Sequence, residues 1–122
     1  MPFEVIGIDH VQITVPKALV GECLAFYREV LWLEEIPKPE GLYGRGGAWF
    51  RVGPIQLHIG VDTDSSPTSK RHVCLLVQDV AAAKSQVAEH GIAIEEESKT
   101  QGLERFFIHD PAGNRIEIGQ RN

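Results

Sequence analysis

The sequence predicts an α+β fold made of two copies of one unit, strand-helix-strand-strand-strand, and three observations point to it. Asp9-His10-Val11-Gln12-Ile13-Thr14-Val15 returns in outline as Arg71-His72-Val73-Cys74-Leu75-Leu76-Val77. In each run a His is followed by apolar residues at every second place, the period of a strand with two unlike faces. Each run then leads into a helical stretch and later into a short strand with one carbonyl-bearing side chain. That side chain is Gln56 in the first half and Glu117 in the second, 46 and 45 residues after the respective His. Two copies with a period of about 60 residues are too few and too long for a solenoid. They suggest instead a pseudo-twofold molecule with one metal site near its axis.

The elements follow in order. Residues 4–15 alternate from Ile8 onward, with His10, Gln12 and Thr14 on one face and Val11, Ile13 and Val15 on the other; Pro16 ends the strand. Residues 18–31 read as a helix with Leu19, Cys23, Phe26, Tyr27 and Val30 on one stripe. Leu33–Ile36 is an edge strand stopped by Pro37 and Pro39. Residues 41–47 carry four glycines and form a loop. Ala48–Val52 and Ile55–Val61 are strands joined by the Gly53-Pro54 turn. Polar residues 62–69 are the linker between a first unit at 4–61 and a second at 70–119, within a single domain spanning 1–122.

In the second unit His72–Val77 is a strand and Asp79 caps an Ala-rich helix over 80–90, closed by Gly91. Ile92–Glu96 is an edge strand, Leu103–His109 a strand, Asp110–Asn114 a turn and Arg115–Gly119 the last strand.

Bulk properties narrow the function. A chain of 122 residues is one domain that can bury a core without staples. A net charge of −5 with no basic cluster argues against nucleic acid. Apolar runs are too short to span a bilayer and no signal-peptide core opens the chain, so the expected location is cytoplasmic, away from membranes. Cys23 and Cys74 have neither metal nor redox spacing and read as reduced.

Strand parity then points to chemistry. If the apolar face of each strand packs on a helix, His10, Gln56, His72 and Glu117 all fall on the opposite, inner face. Two imidazoles, a carboxylate and an amide oxygen suit one divalent ion, Fe, Mn, Co, Ni or Zn. Arg51, Arg105 and Arg115 share that face; they either receive an anionic substrate or pair with local carboxylates, Arg115 with Glu117 being the obvious case. Trp49 and Phe107 either shape a substrate cavity or fill it. His58 is either a further group for acid–base work, alongside Glu117, or a hydrogen-bonded structural residue. His90, at a helix end, is read as a partner of the helix dipole, and His109 as structural.

Taken together, Asp9-His10-Val11, Ala25-Phe26-Tyr27-Arg28-Glu29-Val30-Leu31, Arg71-His72-Val73 and Asp110-Pro111-Ala112-Gly113-Asn114-Arg115-Ile116-Glu117 make the whole chain resemble the vicinal oxygen chelate superfamily. That superfamily includes glyoxalase I, methylmalonyl-CoA epimerase, extradiol dioxygenases, fosfomycin-resistance thiol transferases and bleomycin-resistance proteins. The resemblance implies paired βαβββ modules in a cupped mixed sheet, commonly in a homodimer, with metal positions at His10, Gln56, His72 and Glu117. Many members have Glu where this chain has Gln56; the His/Gln/His/Glu set is that of methylmalonyl-CoA epimerase. The implied activity is that of a lyase, isomerase or thiol transferase on a small molecule that chelates the ion through adjacent oxygens, with Glu117 as base. An Fe(II) extradiol dioxygenase is the second reading, although Phe107 stands where that signature carries Tyr. A metal-free, drug-sequestering protein is the third.

Overall fold

The computed structural model describes residues 3–39, 41, 46–62, 69–96 and 102–122. Among the described residues the strands, in chain order, are β1 (His10–Val15), β2 (Glu34–Ile36), β3 (Ala48–Val52), β4 (Ile55–Val61), β5 (His72–Leu76), β6 (Leu103–His109) and β7 (Arg115–Arg121). They form two sheets, β1-β4-β3-β2 and β5-β7-β6. In each, the first strand lies parallel to the last and the remaining neighbours are antiparallel. This is the βαβββ plan, with β1 and β5 both left as sheet edges.

The first helical segment is not uniform. After Pro16 it opens as a 3-10 turn at Lys17–Leu19, continues as α1 (Val20–Ala25) and ends in a wide π turn at Phe26–Val30. The Leu31 amide reaches back to the Phe26 carbonyl at 3.1 Å. Successive residues of an α-helix point about 100° apart; widening the turn narrows that angle. The neighbours Phe26 and Tyr27 are accordingly both buried, with Cys23 and Val30. Trp32 then turns the chain with φ 56°, and the Leu33 amide bonds to the Tyr27 carbonyl at 3.0 Å.

Helix α2 (Val80–Glu89) starts where the Asp79 side chain accepts from the Ala82 amide at 3.0 Å. Gly91 follows its end at φ 75°, the left-handed position that glycine occupies without strain. The core collects the helix-facing residues of both sheets, Val15, Phe50, Leu57, Ile59, Leu75, Phe106, Ile108, Ile116 and Ile118, around the helical stripe.

A buried polar latch ties the two halves together. Asp110 Oδ2 accepts from the Tyr27 hydroxyl at 2.6 Å, while Oδ1 accepts from the amides of Ala112 and Asn114 at 2.9 Å each. The Asn114 carboxamide donates to the Thr14 carbonyl of β1 at 3.0 Å.

Three differences from the sequence reading are physical. Ile92–Glu96 is not a ladder: among the described residues only Glu95 bridges β6, at Phe107, although Ile92 and Ile94 pack against the core at the period of a strand. β1 begins at His10, and Phe3–Ile8 runs exposed before it. β7 continues to Arg121, opposite Leu103. Most of the linker at 62–69 and most of the loop at 41–47 lie outside the described residues.

Candidate functional site

Strand pairing arranges the inner faces as rungs. In the first sheet one rung runs His10, Gln56, Arg51, Glu34 and the next Gln12, His58, Trp49, Ile36. In the second, one rung runs His72, Arg115, His109 and the next Cys74, Glu117, Phe107. Gln56 therefore lies directly opposite His10, whereas Glu117 lies one alternation beyond His72. Similar sequence separations do not produce the same rung, because the two parallel pairs have different registers.

Each half gathers its own cluster. In the second, Glu117 is buried and accepts from Arg105 Nη1 at 3.3 Å, and its Oε1 lies 3.0 Å from His72 Nε2. Arg115 sits over the Phe107 ring at 3.7 Å, Arg105 lies at 5.3 Å from the same ring, and His72 meets its edge. Phe107 is therefore buried although it is on the inner face. Cys74, next to Glu117, has its thiol pKa raised by burial and then by that carboxylate.

In the first half, His58 is clamped flat between Trp49, centroids 3.8 Å apart, and His10, 4.2 Å apart. Its Nε2 lies 2.9 Å from Gln56 Oε1. Burial, and then the neighbouring His10, push the His58 pKa down, so the imidazole is held neutral. Arg51 pairs with Glu34 at 3.4 Å on an exposed rung, which is the local-carboxylate arrangement. His109 faces Glu95 at 3.5 Å.

The donor set fits a divalent ion in one respect that the sequence did not reveal. His10 Nδ1 is engaged by Asp9 Oδ2 at 2.8 Å, and His72 Nδ1 by the Lys70 carbonyl at 2.9 Å. An imidazole whose Nδ1–H is taken by an oxygen offers its Nε2 lone pair to a metal. Asp9 stands beside His10 in the sequence, but adjacency alone carries no signal; the Lys70 contact is made by backbone and has none.

Within one chain the described residues hold no group of three or more His, Cys, Asp or Glu that could bind a metal. The structure thus brings the four predicted ligands together as two pairs, His10 with Gln56 and His72 with Glu117. A cleft of ≈ 470 Å³ opens between the edge of β1 and the starts of β5 and β7, lined by Gln12, Thr14, Asp62, Arg71, His72 and Arg115 among others. No described helix is long and apolar enough to cross a membrane.

Comparison with known proteins agrees with this architecture. A Bacillus anthracis protein assigned to the glyoxalase family is 38% identical over the full length of both chains, with a TM-score of 0.91. A lactoylglutathione lyase from Agrobacterium tumefaciens is 22% identical, with 96% of this chain and 95% of that one covered and a TM-score of 0.75. An antibiotic-binding protein from Streptomyces sp. CB03234 is 20% identical, with 99% and 100% covered and a TM-score of 0.76. No match was found among curated proteins. The family model for the Glyoxalase/Bleomycin resistance protein/Dioxygenase superfamily matches residues 7–118, and the chain belongs to that superfamily.

Proposed function

We propose that the protein is a divalent-metal enzyme of the lyase, isomerase or thiol-transferase kind, acting on a small substrate with adjacent oxygens. In this reading the site forms where the His10–Gln56 pair of one subunit meets the His72–Glu117 pair of a second. The observation that carries it is the matched tethering of both Nδ1 atoms, which prepares two imidazoles from separate sheets for the same task.

A divalent ion held by these four residues supplies Lewis-acid stabilisation of charge developing on the substrate oxygens. The remaining work belongs to the chain. Glu117, buried beside Arg105, would have to be free of the ion to take and return the proton next to the substrate carbonyl. Arg105 and Arg115, on either side of that carboxylate's rung, favour a substrate carrying negative charge. Phe107 and Trp49 exclude water from the two half-sites. His58, neutral and boxed in, is better placed to organise the site than to exchange protons with substrate.

Protein purified without an affinity tag is expected to bind about one divalent ion per chain, measured by elemental analysis after dialysis. Hemithioacetals, acyl-CoA thioesters, catechols and fosfomycin form the substrate panel; a ring-cleaved catechol would favour the iron dioxygenase alternative. Glu117→Gln should lower kcat by about 10²–10⁴-fold while weakening substrate binding far less. Unchanged turnover removes Glu117 from the reaction.

A second reading rests on the completeness of the Arg105–Glu117–His72 cluster, whose charges already compensate one another. Such a site serves a drug-sequestering protein without a metal. Undiminished drug binding after chelator treatment would favour it over the enzyme.

A further inference from the structure

Phe3, Val5, Ile6 and Ile8 stand between 63% and 93% exposed, directly ahead of β1. Single apolar side chains on a surface need no explanation, but four large ones within six residues form a patch that calls for cover. Among the described residues their own sheet offers none. The bond from the Gln56 amide to the Asp9 carbonyl, at 3.1 Å, closes this end of the ladder, and β4 begins at Ile55, just after the Gly53-Pro54 turn. The segment overruns its neighbour strand. Leu76, 54% exposed, is a large apolar side chain left open on β5, at the edge of the other sheet.

Backbone direction limits how the two can join. Odd-numbered residues of β1 turn their backbone groups to β4: the Asp9 and Val15 carbonyls accept from Gln56 and Asp62. Even-numbered ones, His10 among them, therefore face the open edge, where the Thr14 carbonyl accepts from Asn114. On β5 the Val77 amide donates to Gly119 of β7, so His72, Cys74 and Leu76 face outward.

We propose that Phe3–Ile8 is an intersubunit strand: it adds antiparallel to the open β5 edge of a second copy of this chain, with Ile8 opposite Cys74 and Ile6 opposite Leu76. The register rests on the shared-site reading above, in which His10 of one subunit meets His72 of the other. Corresponding strands set side by side about a twofold axis run antiparallel, so each step back from His10 matches one step forward from His72. Three features agree with that register. The pairs it makes at 8, 6, 74 and 76 join outward-facing residues, as a hydrogen-bonded antiparallel pair requires. Ile6 and Ile8 fall on the same face as Leu76 and share cover with it. Asp9 falls diagonal to Arg71, an acid beside a base, and both are exposed. The occupant is a second copy rather than a foreign peptide because segment and acceptor edge belong to one sequence and match in parity, apolar face and charge. A strand added at the edge lies beside Cys74 and leaves its thiol open on the inner face.

The test is a register-specific crosslink in the full-length protein, with Cys74 native and Cys23 buried. Opposite residues of a hydrogen-bonded antiparallel pair have Cα atoms about 5.5 Å apart, within disulfide reach. Ile8→Cys, oxidised with glutathione disulfide, is expected to give a covalent dimer whose tryptic map joins the peptides carrying positions 8 and 74. Ile6→Cys with Leu76→Cys is expected to link 6 to 76. Ile6→Ser with Ile8→Ser should raise the dimer dissociation constant about 100-fold in sedimentation, with an unchanged far-UV spectrum; unchanged association overturns the proposal. So does an 8–74 link at monomer mass, equal linking of 6 and 8 to Cys74, or a wild-type chain that stays monomeric at every concentration. A dimer that binds metal yet forms no 8–74 link overturns the strand pairing and leaves the shared site standing. An 8–74 dimer that binds no metal supports the pairing and removes the metal reading.

Discussion

Cys23 and Cys74 show how far placement decides chemistry for one residue type. Cys23 is fully buried, and burial first, then the charge of Asp110, moves its pKa from 9.0 to about 12. Cys74 is exposed as a residue, although its thiol is partly desolvated beside Glu117, which slows its reaction without hiding it. A thiol reagent is therefore expected to modify one cysteine in the folded protein and both after denaturation, counted by mass spectrometry. The same burial gives a pH dependence of known sign. The raised pKa means that the fold holds Cys23 neutral while an unfolded chain ionises near the ordinary value. The stabilisation is complete below pH 9.0 and is lost progressively as pH rises toward 12. Tyr27, raised by burial and by Asp110, acts in the same direction. The urea midpoint should fall with increasing pH above 9, and Cys23→Ala should flatten that fall; a slope that the substitution leaves unchanged would exclude Cys23 as a source. Cys23 was legible in sequence as a member of the helical stripe, but its electrostatics were not, because Asp110 reaches it only through the packing of the two halves.

Among the elements, strands bounded by strong turn signals were readable: Ala48–Val52, Ile55–Val61 and Leu103–His109 begin and end as the sequence suggests. Period-two patterning also placed the apolar faces, since one residue of slip would expose an entire side. What patterning could not supply was register between strands, which depends on how the halves' loops close. Hence Gln56 and Glu117 fall on different rungs although their spacings nearly match. Nor could it show the π turn at Phe26–Val30, which satisfies two adjacent aromatics at once, or that pairing along 92–96 would be confined to the Glu95 bridge. The Gly-rich approach to β3 reads only as a loop in sequence, yet one glycine in it is demanded by packing. Gly47 has φ 77°, and a Cβ there would stand 1.9 Å from the Ile59 carbonyl oxygen. Gly47→Ala must shift either β3 or β4 and is expected to destabilise by about 2–3 kcal/mol in chemical denaturation. A loss within a few tenths would mean that the chain enters β3 by another path.

At the level of the whole molecule, the Tyr27–Asp110–Asn114–Thr14 latch holds the halves of one chain in a fixed relation, yet the described residues of that chain assemble no complete metal-binding set. The Asp-Pro-x-Gly-Asn segment was legible as a turn; its second role, donating to β1 from the far side of the sequence, required the tertiary structure. A site divided between copies makes a quantitative prediction that a single-chain site does not. One variant, His10→Ala with Gln56→Ala, lacks the first half-site; another, His72→Ala with Glu117→Ala, lacks the second. In a twofold dimer each pairs one subunit's first half-site with its partner's second, twice over. Either variant alone should therefore bind no metal at this site. A one-to-one mixture refolded together gives about half heterodimers, each with one whole site of two, and so recovers about one quarter of the wild-type capacity. Metal stoichiometry on the mixed protein reads this directly. Recovery near a quarter fits ligands converging from two subunits, whereas no recovery in a mixture shown to exchange subunits would return the four residues to a single chain and end the shared-site proposal.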